Sequence, residues 1–196
     1  LDGEIVPGTT SILKSAGLTD HYRGINKDVL DVAAARGTRA HLHVEKYEDD
    51  NSFDLIPEGE EGYLQAYLSM KHDTGYQSIG QEFILIHPVM RYGLTIDSVG
   101  YFPKDQGRVH TEAPYVLAIV DLKTSDLYPH YVGPQVAAYR EGYNANFPEQ
   151  PATKNYALKL CKDGKYKLEE YPHEEHWRAF RLAFGIYHHK LKYGVA

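Results

Sequence analysis

Cysteine is nearly absent: Cys161 is the only one in 196 residues. A lone thiol excludes an internal disulfide. It also excludes a zinc knuckle or an iron–sulfur cluster, each of which needs several thiolates. Long apolar runs are missing too. None reaches the roughly 20 residues that span a bilayer. The start of the chain has no charged segment followed by an apolar one, so cytoplasmic residence without membrane contact is the expectation. Basic excess is the third absence. A net charge of −6 argues mildly against a nonspecific grip on a polyanion. With no repeat, low-complexity tract or linker, residues 1–196 read as a single domain long enough for a sizeable core.

What is present alternates between helical and strand periods. Pro7-Gly8 leads into a short helix over Thr9–Leu13. Residues 27–49 read as helix with a break near Gly37, where Thr38 can cap the second part. Residues 51–57 read as a loop. A second helix over 59–73 carries Tyr63, Leu64, Tyr67 and Leu68 at helical spacing. Strands follow at Gln81–His87 and Tyr92–Tyr101, joined through Pro88-Val89-Met90. A polar connection, Phe102–Pro114, precedes Val116–Val120, whose apolar residues on both faces predict a central strand. Pro134 suits the first turn of a helix running to about Asn146. Tyr156–Cys161 and Lys165–Tyr171 form a hairpin around Asp163-Gly164. From near His173 a last helix presents Trp177, Phe180, Phe184, Tyr187 and Leu191 to the sheet.

The chemistry is concentrated at Asp121-Leu122-Lys123. Residues two apart on a strand point the same way, so this acid and base lie side by side. Buried charge is costly unless paired or metal-bound. Asp97 lies 24 residues upstream on the preceding strand. Two carboxylates about 4 Å apart repel by about 4 kcal/mol at an effective dielectric of 20, and a divalent cation turns that repulsion into binding. Oxygen ligands favour Mg²⁺ or Mn²⁺. Lys123 would orient or deprotonate the attacking water, with a nearby cation and partial desolvation lowering its pKa, and would steady charge on a phosphate. The plainer alternative is a turn-capping Asp97 and a surface Asp121–Lys123 pair.

His41 is four residues after Gly37 and four before Glu45, on one helical face; His43 points about 200° away. His41-Leu42-His43 also matches the His-x-His of barrel amidohydrolases, but the chain is too short for that barrel and the segment reads as helix. Arg36 and Arg39 could form a small basic patch for substrate, with Lys159, Lys162 and Lys165 as weaker candidates. His188-His189 reads as solvated surface.

Taken in order, Arg36-Gly37-Thr38-Arg39-Ala40-His41 with Glu45, then Asp97, then Asp121-Leu122-Lys123, then Gln135-Val136-Ala137-Ala138-Tyr139, this sequence resembles the RecB-type exonucleases of the PD-(D/E)XK nuclease superfamily, in particular small phage-recombination nucleases. The resemblance spans roughly residues 9–145. It implies a restriction-endonuclease-like α/β core, a central mixed β-sheet flanked by helices. It implies catalytic roles for Asp97, Asp121 and Lys123, and metal ligation by His41, Asp97, Asp121 and the Leu122 carbonyl, with Glu82 joining a second metal. Glu45 would support the ligands, and Gln135 and Tyr139 would contact the substrate strand or support the lysine. The cofactor would be Mg²⁺ or Mn²⁺, with His41 tilting preference toward Mn²⁺. The substrate would be DNA ends, single- or double-stranded. The resemblance also allows a homo-oligomer, such as a ring, and a recombination partner protein. A structure-specific endonuclease and a non-catalytic nucleic-acid-binding module stay open as alternatives. The chain departs from the pattern in its long Phe102–Pro114 connection, its lack of a strongly basic groove and its lack of the four-cysteine cluster that some relatives carry.

Overall fold

A computed structural model describes residues 6–53, 56–104 and 115–194. Most of the Phe102–Pro114 connection therefore lies outside the described residues, as does Asp54. Five helices and a five-stranded sheet follow the α/β expectation: helix α1 (Thr9–Ser15), α2 (Lys27–Asp50), α3 (Glu61–Thr74), strands β1 (Gln77–Ile86), β2 (Gly93–Pro103) and β3 (Tyr115–Lys123), α4 (Pro129–Asn146), β4 (Lys154–Leu160), β5 (Tyr166–Glu170) and α5 (His173–Tyr193). The strands lie in chain order, β1 to β5. All neighbours are antiparallel except β3 and β4, which run parallel through the α4 crossover. This is a mixed sheet flanked by helices, consistent with a restriction-endonuclease-like fold. No helix among the described residues is long and apolar enough to cross a membrane.

The two-faced apolar pattern of β3 makes it the middle of the sandwich. Leu117 and Ile119 join the core under α1, α4 and α5, with Tyr92, Ile96 and Phe180. Ala118, Val120 and Leu122 join the other core, under α2 and α3, with Val44, Tyr67 and Met70. Each large side chain buried this way contributes about 1.5–3 kcal/mol.

Three helix expectations need correction. α2 is unbroken at Gly37. Asn26 caps its start by accepting the Asp28 N–H at 2.8 Å, and Thr38 bonds back to the Ala34 carbonyl at 3.2 Å instead of capping. Gly37 comes close to the residue after β3: a Cβ there would meet Thr124 Oγ1 at 3.7 Å, an ordinary contact. α4 starts one turn and more before Pro134, at Pro129. Pro129 takes the first-turn place, where a missing N–H is harmless, and Pro134 falls inside the helix at the expense of one intrahelical bond. α5 delivers Phe180 to the core with Trp177, Phe184 and Tyr187 against it, but Leu191 is 61 % exposed. The helix lies against α4 and α1 and runs past the core before its last turn.

α2 is unevenly anchored. Its buried residues are Ala40, His43 and Val44, all in the C-terminal half. None of residues 27–36 is buried, and Val29 and Val32 are exposed.

Candidate active site

β2 and β3 pair Ser98 with Val120. Just beyond that pair Asp97 reaches across to β3, where its carboxylate accepts the Leu122 main-chain N–H and is felt at Asp121. On the other side, β1 pairs Gln81 with Ser98 and Phe83 with Ile96, leaving Glu82 opposite Asp97. Both strands change faces here. Gln81 donates to Ser98 Oγ on the α2–α3 side, whereas Phe83 and Ile96 belong to the core beneath α4 and α5. Glu82 carries the irregularity with a φ of 50°. A non-glycine side chain in the left-handed region costs on the order of 1–3 kcal/mol and marks sites where placement matters more than ease.

His41 completes the group from α2. Its Nδ1 is 3.4 Å from Asp97 Oδ1 and 3.8 Å from Glu82 Oε1. Its Nε2 is 3.0 Å from the Leu122 carbonyl oxygen, to which it donates. One ligand atom from each of His41, Glu82 and Asp97 lies within 4.8 Å of the others, the arrangement that could hold a metal ion. Asp97 is fixed by its second oxygen, which accepts the Leu122 main-chain N–H at 2.6 Å.

Asp121 stands beside this trio but turns toward Lys123, whose Nζ is 2.5 Å from Asp121 Oδ2. The contact is an ion pair off the line of a hydrogen bond. Burial pushes the Asp121 carboxyl up, and Asp97 adds to that; Lys123 and His41 pull the other way, leaving it at about 6. Asp97 is also buried, but the charge and hydrogen bond of His41, then Lys123 and the Leu122 N–H, outweigh burial and hold it below the usual value. Burial would lower the His41 imidazole, yet Asp97 overrides it and raises it to about 9. Burial and the charges of Asp97 and Glu45 push the Glu82 carboxyl up against the pull of His41. Glu45 thus sits close enough to be felt at the group it was expected to support.

The lowered pKa expected of Lys123 belongs to a lysine beside a bound cation; the chain's own charges push it the other way. Burial alone would lower it, but Asp121 and then Asp97 override burial and raise it. Lys123 is an ammonium in this arrangement, because two carboxylates surround it.

Gln135 and Tyr139 come together as their spacing requires, Gln135 Nε2 donating to Tyr139 Oη at 2.7 Å. Both are buried. Burial and the charges of Asp121 and Asp97 push the Tyr139 hydroxyl pKa well up, so Tyr139 lies within electrostatic reach of the carboxylates. Arg39 is not brought to the group. Its guanidinium grips Glu60 with two hydrogen bonds, Nε at 2.9 Å and Nη2 at 2.5 Å. Arg36 instead reaches Thr124, with Nε 3.5 Å from Oγ1 and Nη2 3.5 Å from the carbonyl. Lys159 pairs with Asp126 and Lys165 with Asp163.

A cleft of about 720 Å³ opens over His41, Leu122 and Lys123. Several of its walls were not foreseen: Thr10 and Lys14 from α1, Tyr22 and Arg23 from the segment before α2, and Tyr131 from α4. Tyr131 feels both Lys123 and Asp121. These residues lie in short helices, in irregular chain or at a helix start, where periodicity carries little signal.

No protein-family model matches the chain. No curated protein matches it in sequence. Two solved structures are similar in fold. One is a protein from Eubacterium rectale described as an exonuclease, with a TM-score of 0.48 and 16 % identity over 82 % of this chain and 69 % of that one. The other is LHK-Exo in complex with dAMP, with a TM-score of 0.38 and 9 % identity over 97 % of this chain and 89 % of that one. At such distances the residues of the site, not the neighbours' names, carry the chemistry.

Proposed function

We propose that this protein is a divalent-metal-dependent deoxyribonuclease that hydrolyses phosphodiester bonds from DNA ends. One observation carries the reading: His41, Glu82 and Asp97 converge within 4.8 Å beside the buried Asp121–Lys123 pair, under an open cleft.

The donor set fits a hard or borderline cation, with one imidazole nitrogen and several carboxylate oxygens. Burial, with the Asp97 charge added, raises the Asp121 carboxyl to about 6 against the pull of Lys123 and His41, and a cation beside it would favour its ionised form. His41 Nδ1, Glu82 and Asp97 would hold Mg²⁺ or Mn²⁺, with Asp121 and the second lone pair of the Leu122 carbonyl within the same neighbourhood. When bound, such an ion supplies a more acidic water and neutralises charge on the phosphoryl oxygens.

The chain's own groups do the rest. His41 donates Nε2–H to Leu122, which leaves Nδ1 facing the carboxylates and fixes the ring. Lys123 presents a cation to a non-bridging phosphate oxygen and orients the attacking water. Asp121 holds Lys123 in place. Gln135 and Tyr139 support the carboxylates, and Glu45 adds its charge beside Glu82. A role in phage or bacterial recombination or repair, with a homo-oligomer or a recombination partner protein, is the setting the sequence resemblance suggests.

The test is cleavage of linear and covalently closed DNA with Mg²⁺ or Mn²⁺. Loss of linear DNA alone, abolished in Asp121→Asn and Lys123→Ala, is the expected result. Cleavage of the closed circle would make it an endonuclease. No hydrolysis of single- or double-stranded DNA with either metal would leave a nucleic-acid-binding module.

A further inference from the structure

The walls of the cleft are built differently from its floor. One wall is a strip of small and apolar residues on α2: Leu30, Ala33, Ala34 and Gly37. The rings of Tyr22 and Tyr131 also line the cleft. Tyr22 is held in a ring cluster. The His21 ring centroid is 4.0 Å from Tyr22 and 4.1 Å from Tyr128, both rings tilted against it. His130 meets His21 edge-on, its Nε2 3.1 Å from His21 Nδ1. Such a cluster presents aromatic area at little entropic cost, because its rings are already ordered.

Charge distinguishes the cleft from the rest of the chain. Lys14, Arg23 and Lys123 line it, against one acid, Asp20, in a protein whose net charge is −6. Rings, small side chains and cations lining one cleft match a flat base on a phosphate backbone. The volume of about 720 Å³ is that of a small-ligand site. A base offers its face to a side-chain ring most freely when it is unpaired.

We infer that the cleft takes the unpaired end of a single DNA strand, its base stacked on the Tyr22–Tyr131 wall and its phosphates running past Lys14 and Arg23 to Lys123. This rests on the nuclease reading for the direction of the strand, but the stacking can be tested by binding alone.

The experiment uses the whole chain with a metal chelator, so that nothing is cut, and reads fluorescence anisotropy of short DNA probes. The probes are a single strand with intact ends, the same strand abasic at one end or the other, and a blunt duplex. Stacking of one base corresponds to about a 5- to 150-fold gain in affinity. The intact strand should bind more tightly than one of the abasic strands by a factor in that range, and more tightly than the duplex. Tyr22→Ala should erase the difference between intact and abasic ends, and Tyr22→Phe should keep it. Equal binding of intact and abasic strands by the wild-type chain overturns the inference, and that comparison needs no variant to fold. Equal binding of duplex, or discrimination that survives in Tyr22→Ala, overturns it as well. Base-dependent binding without hydrolysis under either metal would sink the nuclease reading and leave the stacking site standing. Hydrolysis with no base dependence would do the reverse.

Discussion

Asp97 Oδ2 accepts the main-chain N–H of Leu122 at 2.6 Å, so the carboxylate that faces His41 is also a brace between β2 and β3. The two duties separate on mutation. Asp97→Asn keeps an oxygen for the Leu122 N–H but loses the charge that faces His41, so metal affinity should fall and the unfolding temperature should drop moderately. Asp97→Ala leaves a buried N–H unsatisfied and should cost a further 1–3 kcal/mol or so of stability. Calorimetric Mn²⁺ titration and thermal unfolding of both variants check this; equal stability of the two would remove the brace.

Glu82 occupies backbone that glycine prefers, with φ at 50°. Two effects oppose each other in Glu82→Gly. Relief of strain is worth about 1–3 kcal/mol, and the added freedom of the unfolded chain costs about 0.5–1 kcal/mol. Strain relief wins, so Glu82→Gly should be at least as stable as Glu82→Gln, which keeps the strain. Both should bind Mn²⁺ more weakly than the wild type. A Glu82→Gly variant clearly less stable than Glu82→Gln would mean that the left-handed backbone is unstrained.

Lys123→Ala removes the partner of a buried carboxylate. Breaking such a pair usually costs about 3–5 kcal/mol, because Asp121 is left without its cation. The same change exposes Asp121 to an incoming metal. The metal-free variant should therefore be much less stable than the wild type, and saturating Mn²⁺ should raise its unfolding temperature by more than it raises the wild type's. Turnover should be lost in either state. A variant that gains no more from Mn²⁺ than the wild type does would place Asp121 outside the metal's reach.

Away from the site, His173 at the start of α5 meets Glu141 on α4 at 2.7 Å. That hydrogen bond holds the Glu141 carboxyl below its usual value, against the upward push of burial. A depressed carboxyl contributes stability above its unfolded pKa, about 4.3, and loses it as pH falls through the lower folded value. The stability gap between wild type and Glu141→Gln should be constant near neutrality and shrink below about pH 4. Thermal unfolding across pH 7 to 3 measures it; a gap that widens on acidification contradicts the assignment.

The sequence made the parts of the site legible wherever period and spacing govern. Asp121 and Lys123 two apart on an apolar strand, Asp97 on the strand before it, and His41 on a helical face all come to one neighbourhood as expected. The five strands and the α4 crossover followed from the same patterns. What stayed hidden depends on pairing across distance. Arg39 is 21 residues from Glu60, and nothing local says that they meet. The ammonium state of Lys123 follows from two carboxylates on two strands. The left-handed backbone at Glu82 is a property of two strands bending together. Pro134 inside α4 is tolerated because Pro129 had already started the helix.

The uneven anchoring of α2 gives its two halves different lifetimes. None of residues 27–36 is fully buried, so their hydrogen bonds can open in a local fluctuation that leaves the remainder of the helix intact. Their amide protons should exchange with solvent well ahead of those around Ala40 and Val44, which are locked into the core. Leu30, Ala33 and Ala34 belong to the loose half, and His41 to the firm one. Opening of this arm would leave the imidazole in register with Asp97. The Arg36–Thr124 contact, at 3.5 Å, clasps the arm to the end of β3.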